Sequence, residues 1–105
     1  MRMKQQEIEL ISFVKKGRQR RLVIVEMNKI TPLMVSEIQK HVNNAIKKEG
    51  EKEIRLSDVS RVLQSFIEKK LAVCLNPRKK VGEKGILYKL TEKGEDIKSV
   101  LSQSN

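Results

Sequence analysis

The sequence predicts a mainly α chain carrying a small antiparallel β-hairpin, an α+β class. Three observations lead there. Apolar residues recur at helical spacing over most of the chain. Strict alternation replaces that spacing only after Lys70. No strand–helix–strand alternation of the kind that builds a parallel sheet occurs. With 105 residues the chain fits one domain. Its only aromatic residues are Phe13, Phe66 and Tyr88, so the core must be built from Ile, Leu and Val. A chain this short buries a smaller share of its surface than a long one, and dimerisation is an expected supplement.

In chain order, residues Lys4 to Lys16 read as a helix. Leu10, Ile11, Phe13 and Val14 gather on one side, and Lys15, Lys16 and Gly17 suit its end. In Arg18 to Asn28 the apolar run Leu22 to Val25 is continuous, so periodicity does not separate helix from strand; length and the stop at Asn28 favour a buried helix. Thr31-Pro32 suits the opening of a third helix, a hydroxyl cap followed by proline in the first turn. Val35, Ile38, Val42, Ala45 and Ile46 form its apolar face. The charged stretch Lys47 to Arg55 contains Gly50 and reads as a loop, with a short extended piece at Ile54 and Leu56.

Ser57 is the expected cap of a fourth helix, in which Val59, Val62, Leu63, Phe66 and Ile67 follow the i, i+3, i+4, i+7, i+8 pattern without a fault. Burying five such side chains contributes on the order of 10 kcal/mol before entropy is subtracted. Ser57, Arg61, Gln64 and Glu68 then lie furthest from that face, with Ser60 and Ser65 beside them. From Leu71 the pattern alternates: Leu71, Val73 and Leu75 point one way, and Ala72, Cys74 and Asn76 the other. Asn76-Pro77 begins a turn, Ile86 to Leu90 returns as a second strand, and Thr91 caps a last helix striped by Ile97, Val100 and Leu101. The polar tail Ser102 to Asn105 is expected to fray. The predicted order is four helices, two strands and a helix.

Charge narrows the function classes. Lys and Arg number 23 against 13 Asp and Glu, a net charge of +10. Such a surplus favours a polyanionic partner, nucleic acid before an anionic membrane surface. A lone cysteine, Cys74, cannot form an internal disulfide, the start of the chain has no leader-like apolar core, and no apolar run approaches a membrane span. The expectation is a cytoplasmic protein without a membrane partner.

The segment Ser57 to Thr91, "SDVSRVLQSFIEKKLAVCLNPRKKVGEKGILYKLT", sets a helix with a polar, Arg-bearing outer face directly before a cationic hairpin. Arg61 can donate two parallel hydrogen bonds to guanine O6 and N7, and Gln64 can pair with adenine N6 and N7. Being three residues apart, both can reach one stretch of groove. Ser57 and Ser60 suit phosphate oxygens near the helix start, with Ser65 on the same helix. Arg78, Lys79, Lys80 and Lys84 crowd the hairpin turn against the single acid Glu83, and such a cluster repels itself unless a counter-charge arrives. Lys15, Lys16, Arg18, Arg20 and Arg21 form a second cationic group that either extends a phosphate footprint or caps a helix end.

The order of elements, and above all "LSDVSRVLQSFIEKKLAVCLN" followed by "YKLTEKG", resembles the winged helix-turn-helix family, in particular small MarR-like and ArsR-like prokaryotic regulators, many of them archaeal. The likeness is best over Arg18 to Gly94. It implies one winged-helix domain over 1–105, with a core at 18–91 and extra N- and C-terminal helices at 1–17 and 92–105. It further implies that the helix at 57–70 enters the major groove of DNA, that the hairpin at 71–90 is the wing, and that the terminal helices form a homodimer. The ten-residue stretch Lys47 to Leu56 between the second and third helices of the motif departs from the family in its length.

No catalytic constellation is expected. His41, at the border of an apolar face, reads as a partly buried structural residue, and Cys74 as a small core or edge residue. CxxC, HExxH, GxGxxG, GxSxG and Walker patterns are missing, and Glu51 and Glu53 fall in a charged loop without an apolar pocket. No cofactor is implied. Transcriptional regulation through sequence-specific duplex binding is the leading expectation. A winged-helix protein-docking module and a non-specific RNA or nucleoid binder are the alternatives; few exposed aromatics weigh against base-reading RNA recognition.

Overall fold

The computed structural model describes residues 5–76 and 85–103. Gly17 alone separates α1 (Gln5–Lys16) from α2 (Arg18–Glu26). β1 (Leu33–Met34), α3 (Val35–Lys47), α4 (Leu56–Glu68), β2 (Ala72–Cys74), β3 (Leu87–Leu90) and α5 (Glu92–Gln103) follow. The chain is thus mainly helical with one small antiparallel sheet, as the periodicities predict. The sheet has three strands in the order β1-β3-β2, one more than expected.

The additional strand arises at the predicted start of the third helix. Asn28, not Thr31, organises this turn: its Oδ1 accepts the N–H groups of Ile30 (2.9 Å) and Thr31 (2.6 Å). Pro32 then stands before an extended pair, Leu33 and Met34, that hydrogen-bonds along β3, with Leu33 opposite Tyr88 and Met34 opposite Leu87. α3 begins only at Val35, where Glu37 reaches back to the Met34 N–H at 2.9 Å, the reciprocal half of a capping box. Thr31 is therefore not a helix cap. The buried row of α3 is Val35, Ile38, Val42 and Ile46; Ala45 and His41, expected to be wholly or partly buried, are exposed. The stripe is narrower than the sequence suggested because it follows Ile38, Val42 and Ile46 at i, i+4, i+8.

The apolar run of α2 is likewise one-sided. Val23 and Ile24 are buried, whereas Val25 is exposed, since each residue turns about 100° from the last.

The segment 48–55 is held firmly, and its expected extended piece is replaced by side-chain pairing. Ile54 is buried, its N–H donates to Asn43 Oδ1 (2.9 Å), and its carbonyl accepts from Asn43 Nδ2 (3.1 Å) and Gln39 Nε2 (3.3 Å). Gly50 takes a positive φ of 71° as the chain leaves α3, a conformation costly for any residue with a Cβ. Leu56, read as extended, opens α4 instead.

At the far end of α4 the Lys70 N–H bonds to the Ile67 carbonyl (3.0 Å) and the Leu71 N–H to the Phe66 carbonyl (2.8 Å). This is a Schellman closure with lysine at φ 62° in the place usually held by glycine. The turn resets the strand that follows. Leu71 and Ala72 are both buried, Cys74 is half-buried and packs on the core, and Val73 and Leu75 are 37% and 46% exposed. The predicted facing of Val73 and Leu75 with Leu71 is overturned: the small residues Ala72 and Cys74 face inward, opposite Leu90 and Tyr88.

Thr91 caps α5 as expected, its Oγ1 accepting the Gly94 N–H (3.1 Å) and donating to the Lys70 carbonyl (2.7 Å). A Cβ on Gly94 would lie 2.1 Å from the Leu71 carbonyl oxygen, so the close seating of α5 on the end of α4 requires glycine there. One core unites the elements, with Tyr88, Phe66, Ile24, Met27 and Ile38 among its largest fully buried side chains. The terminal stripes contribute to it: Leu10, Val14 and Ile97 are buried, and Ile11, Phe13 and Leu101 pack against it.

Candidate nucleic-acid interface

One face of α4 is committed to the core through Val59, Val62, Leu63 and Phe66. The opposite face carries Ser57, Arg61, Gln64 and Glu68, all exposed, as their spacing predicts. Ser60 and Ser65 are half-buried on its flanks. The Ser65 hydroxyl donates to the Val62 carbonyl (2.7 Å) and is turned back on its own helix. Ser57 is not the cap it was expected to be. Arg55 holds that place, and its N–H donates to Asp58 Oδ2 at 3.1 Å, so the cap lies two residues earlier and Ser57 lies in the first turn. Arg61 makes no hydrogen bond or ion pair among the described residues, which leaves its guanidinium donors available to a ligand.

The second cationic group resolves into distinct tasks. Arg20 Nη1 donates to the Phe13 carbonyl (2.7 Å) and its guanidinium lies 4.0 Å from the Phe13 ring centroid. Arg21 donates to the Lys15 carbonyl. Both satisfy carbonyl groups that the last turn of α1 leaves without helical partners. Arg18 Nη2 donates to the Lys52 carbonyl (2.8 Å), tying the start of α2 to the segment before α4. Of the two roles open from sequence, capping a helix end is what Arg20 and Arg21 perform. Gly17 assists, for a Cβ there would meet the Arg20 Cδ at 2.8 Å.

The fold also joins groups that lie far apart in sequence. A groove of about 350 Å³ runs between the start of α2 and the flank of α4, lined by Gly17, Arg18, Gln19, Arg20, Arg61, Val62 and Ser65. Three arginines and no acid are among these lining residues. The sequence offers Arg18 and Arg20 either as an extension of the phosphate footprint or as helix caps, and does not show that they share a groove with Arg61. A second groove, of about 260 Å³, lies between α1 and α5, with Ile11, Ile97 and Val100 on its floor and Glu7, Lys93 and Asp96 around them.

The wing residues Arg78, Lys79, Lys80 and Lys84 lie outside the described residues. Among those described, no group of three or more His, Cys, Asp or Glu side chains is placed to hold a metal ion, and no helix is long and apolar enough to cross a membrane. No family profile, curated protein or solved structure compared with this chain matches it.

Proposed function

We propose that the protein is a winged helix-turn-helix regulator that binds duplex DNA, with α4 in the major groove and the β2–β3 hairpin beside it, acting as a homodimer through α1 and α5 and carrying no enzymatic activity. The observation that carries this is the division of α4: every core-facing position is apolar and every outermost one is polar and exposed, in a chain of net charge +10. Support also comes from the pinned path from α3 to α4 and from the antiparallel pair β2 and β3, the next strands after α4. An α-helix 10–12 Å across fits a major groove about 12 Å wide. The dimer draws support from the apolar floor of the α1–α5 groove.

The test is anisotropy with labelled DNA: the stretch upstream of the protein's own reading frame, a random duplex and a random single strand. Tighter binding to the upstream duplex is expected. If ~6 phosphates are neutralised, affinity for duplex should fall about 1,000-fold between 50 and 200 mM salt. Equal affinity for all three would overturn sequence-specific regulation.

A second reading, a protein-docking module, has one observation in its favour. Met34, Val73 and Leu75 are 37%, 37% and 46% exposed and lie on the outer side of the sheet. Absence of duplex affinity in the same experiment would turn the choice toward it.

A further inference from the structure

We propose that the groove between the start of α2 and the flank of α4 seats a phosphodiester group of the bound duplex, and that Arg61 serves there as a backbone clamp instead of a guanine reader. This rests on the duplex-binding reading and assigns a specific part of the ligand to a specific part of the surface.

Geometry leads the argument. A helix that fills the major groove has a sugar–phosphate ridge along each flank, because the groove is barely wider than the helix. Arg61 and Ser65 are one turn apart and share the α4 flank that faces α2. Arg61 lines this groove and can therefore reach a phosphate seated in it, whereas Gln64, on the same outer face, lines no part of it.

Electrostatics agrees. Arg18, Arg20 and Arg61 bring three permanent positive charges to one groove with no acid among its lining residues. The other grooves are mixed: Glu7 and Asp96 stand with Lys93 in one, and Glu9 and Glu68 with Lys69, Lys70 and Lys93 in another. Like charges brought together by folding repel, and an anion seated between them relieves the repulsion. Two of the three are held in place before any ligand arrives: Arg20 is fixed on Phe13, and Arg18 on the Lys52 carbonyl. Each spends one donor in that contact and retains others. A pre-positioned guanidinium loses less freedom on binding phosphate than a free one. Asp58, one turn before Arg61 on α4, accepts the Arg55 N–H with its Oδ2.

The experiment uses the full chain and two duplexes, one selected from a random pool and one of random sequence, titrated with salt. R61Q and R18Q are the variants, with thermal melting as a check on folding, since Arg18 is half-buried and holds the Lys52 carbonyl through a solvent-exposed bond; Arg20 is left alone because it is part-buried on Phe13 and ties α1 to α2. Each variant should weaken both duplexes by the same factor, about tenfold at 0.1 M salt, and lower the salt slope by about one contact. R61K should recover much of the loss. A loss by R61Q confined to the selected duplex would overturn the clamp and return Arg61 to base reading. An unchanged salt slope in R18Q would overturn the seat while leaving duplex binding intact. Failure of the unaltered protein to bind either duplex would overturn the DNA reading itself.

Discussion

Lys70 is a residue in a place chemistry reserves for glycine. Its φ of 62° brings its Cβ toward the following carbonyl, a strain of about 1 kcal/mol for an L-residue. Lysine is nonetheless accommodated because Leu71 is buried and the Thr91 hydroxyl holds the Lys70 carbonyl. Lys70→Gly should therefore stabilise the fold by about 1 kcal/mol, a rise of roughly 4–8 °C in Tm by calorimetry. A fall in Tm would mean that the lysine side chain contributes more than its backbone costs. At this scale the sequence was only partly legible. Thr91 was readable as a cap because its hydroxyl acts within its own helix start. Ser57 was not readable as a first-turn residue because Arg55 and Asp58 offered a competing closure two residues upstream.

Among the elements, the segment between α3 and α4 decides how the polar face of α4 is presented. The stretch Lys47 to Leu56 reads as a long charged loop in sequence, but only eight residues separate the helices and Asn43 grips both backbone groups of Ile54. Replacing Asn43 with alanine leaves the buried Ile54 N–H without its acceptor, at a cost on the order of 2 kcal/mol. The expected signature in hydrogen exchange is faster exchange at the Ile54 amide than at amides in the middle of α4, together with weaker duplex binding. Protection at Ile54 equal to that of the unaltered protein would show that the grip is dispensable. The strength of α4 was plain from its spacing, since all its buried positions follow one helical stripe. β1 was hidden, because two residues are too few for alternation and their extended form depends on pairing with β3.

The molecule as a whole measures 39 × 37 × 21 Å, a broad slab. The proposed homodimer would need its two α4 helices about 34 Å apart to enter successive major grooves. If the α1–α5 groove makes that pairing, I8E, on α1 one turn before the groove residue Ile11 and at a position 48% exposed, combined with V100E should convert a dimer to a monomer in sedimentation velocity, because each copy would bring carboxylates to an apolar contact already bordered by Glu7 and Asp96. Affinity for a duplex with two half-sites should fall at least about tenfold, with a single half-site little changed. A double variant that remains dimeric would move the interface elsewhere.

Helical stripes, net charge and the polar outer face of α4 were all determined by the sequence itself, because each depends on residues within a few turns of one another. The third strand, the inward facing of Ala72 and Cys74 and the exposure of His41 were decided only by tertiary structure. So was the meeting of Arg18 and Arg20 with Arg61. Strand pairing, the reset of a pleat after a left-handed turn and the approach of side chains from distant segments are long-range events, and no local periodicity records them.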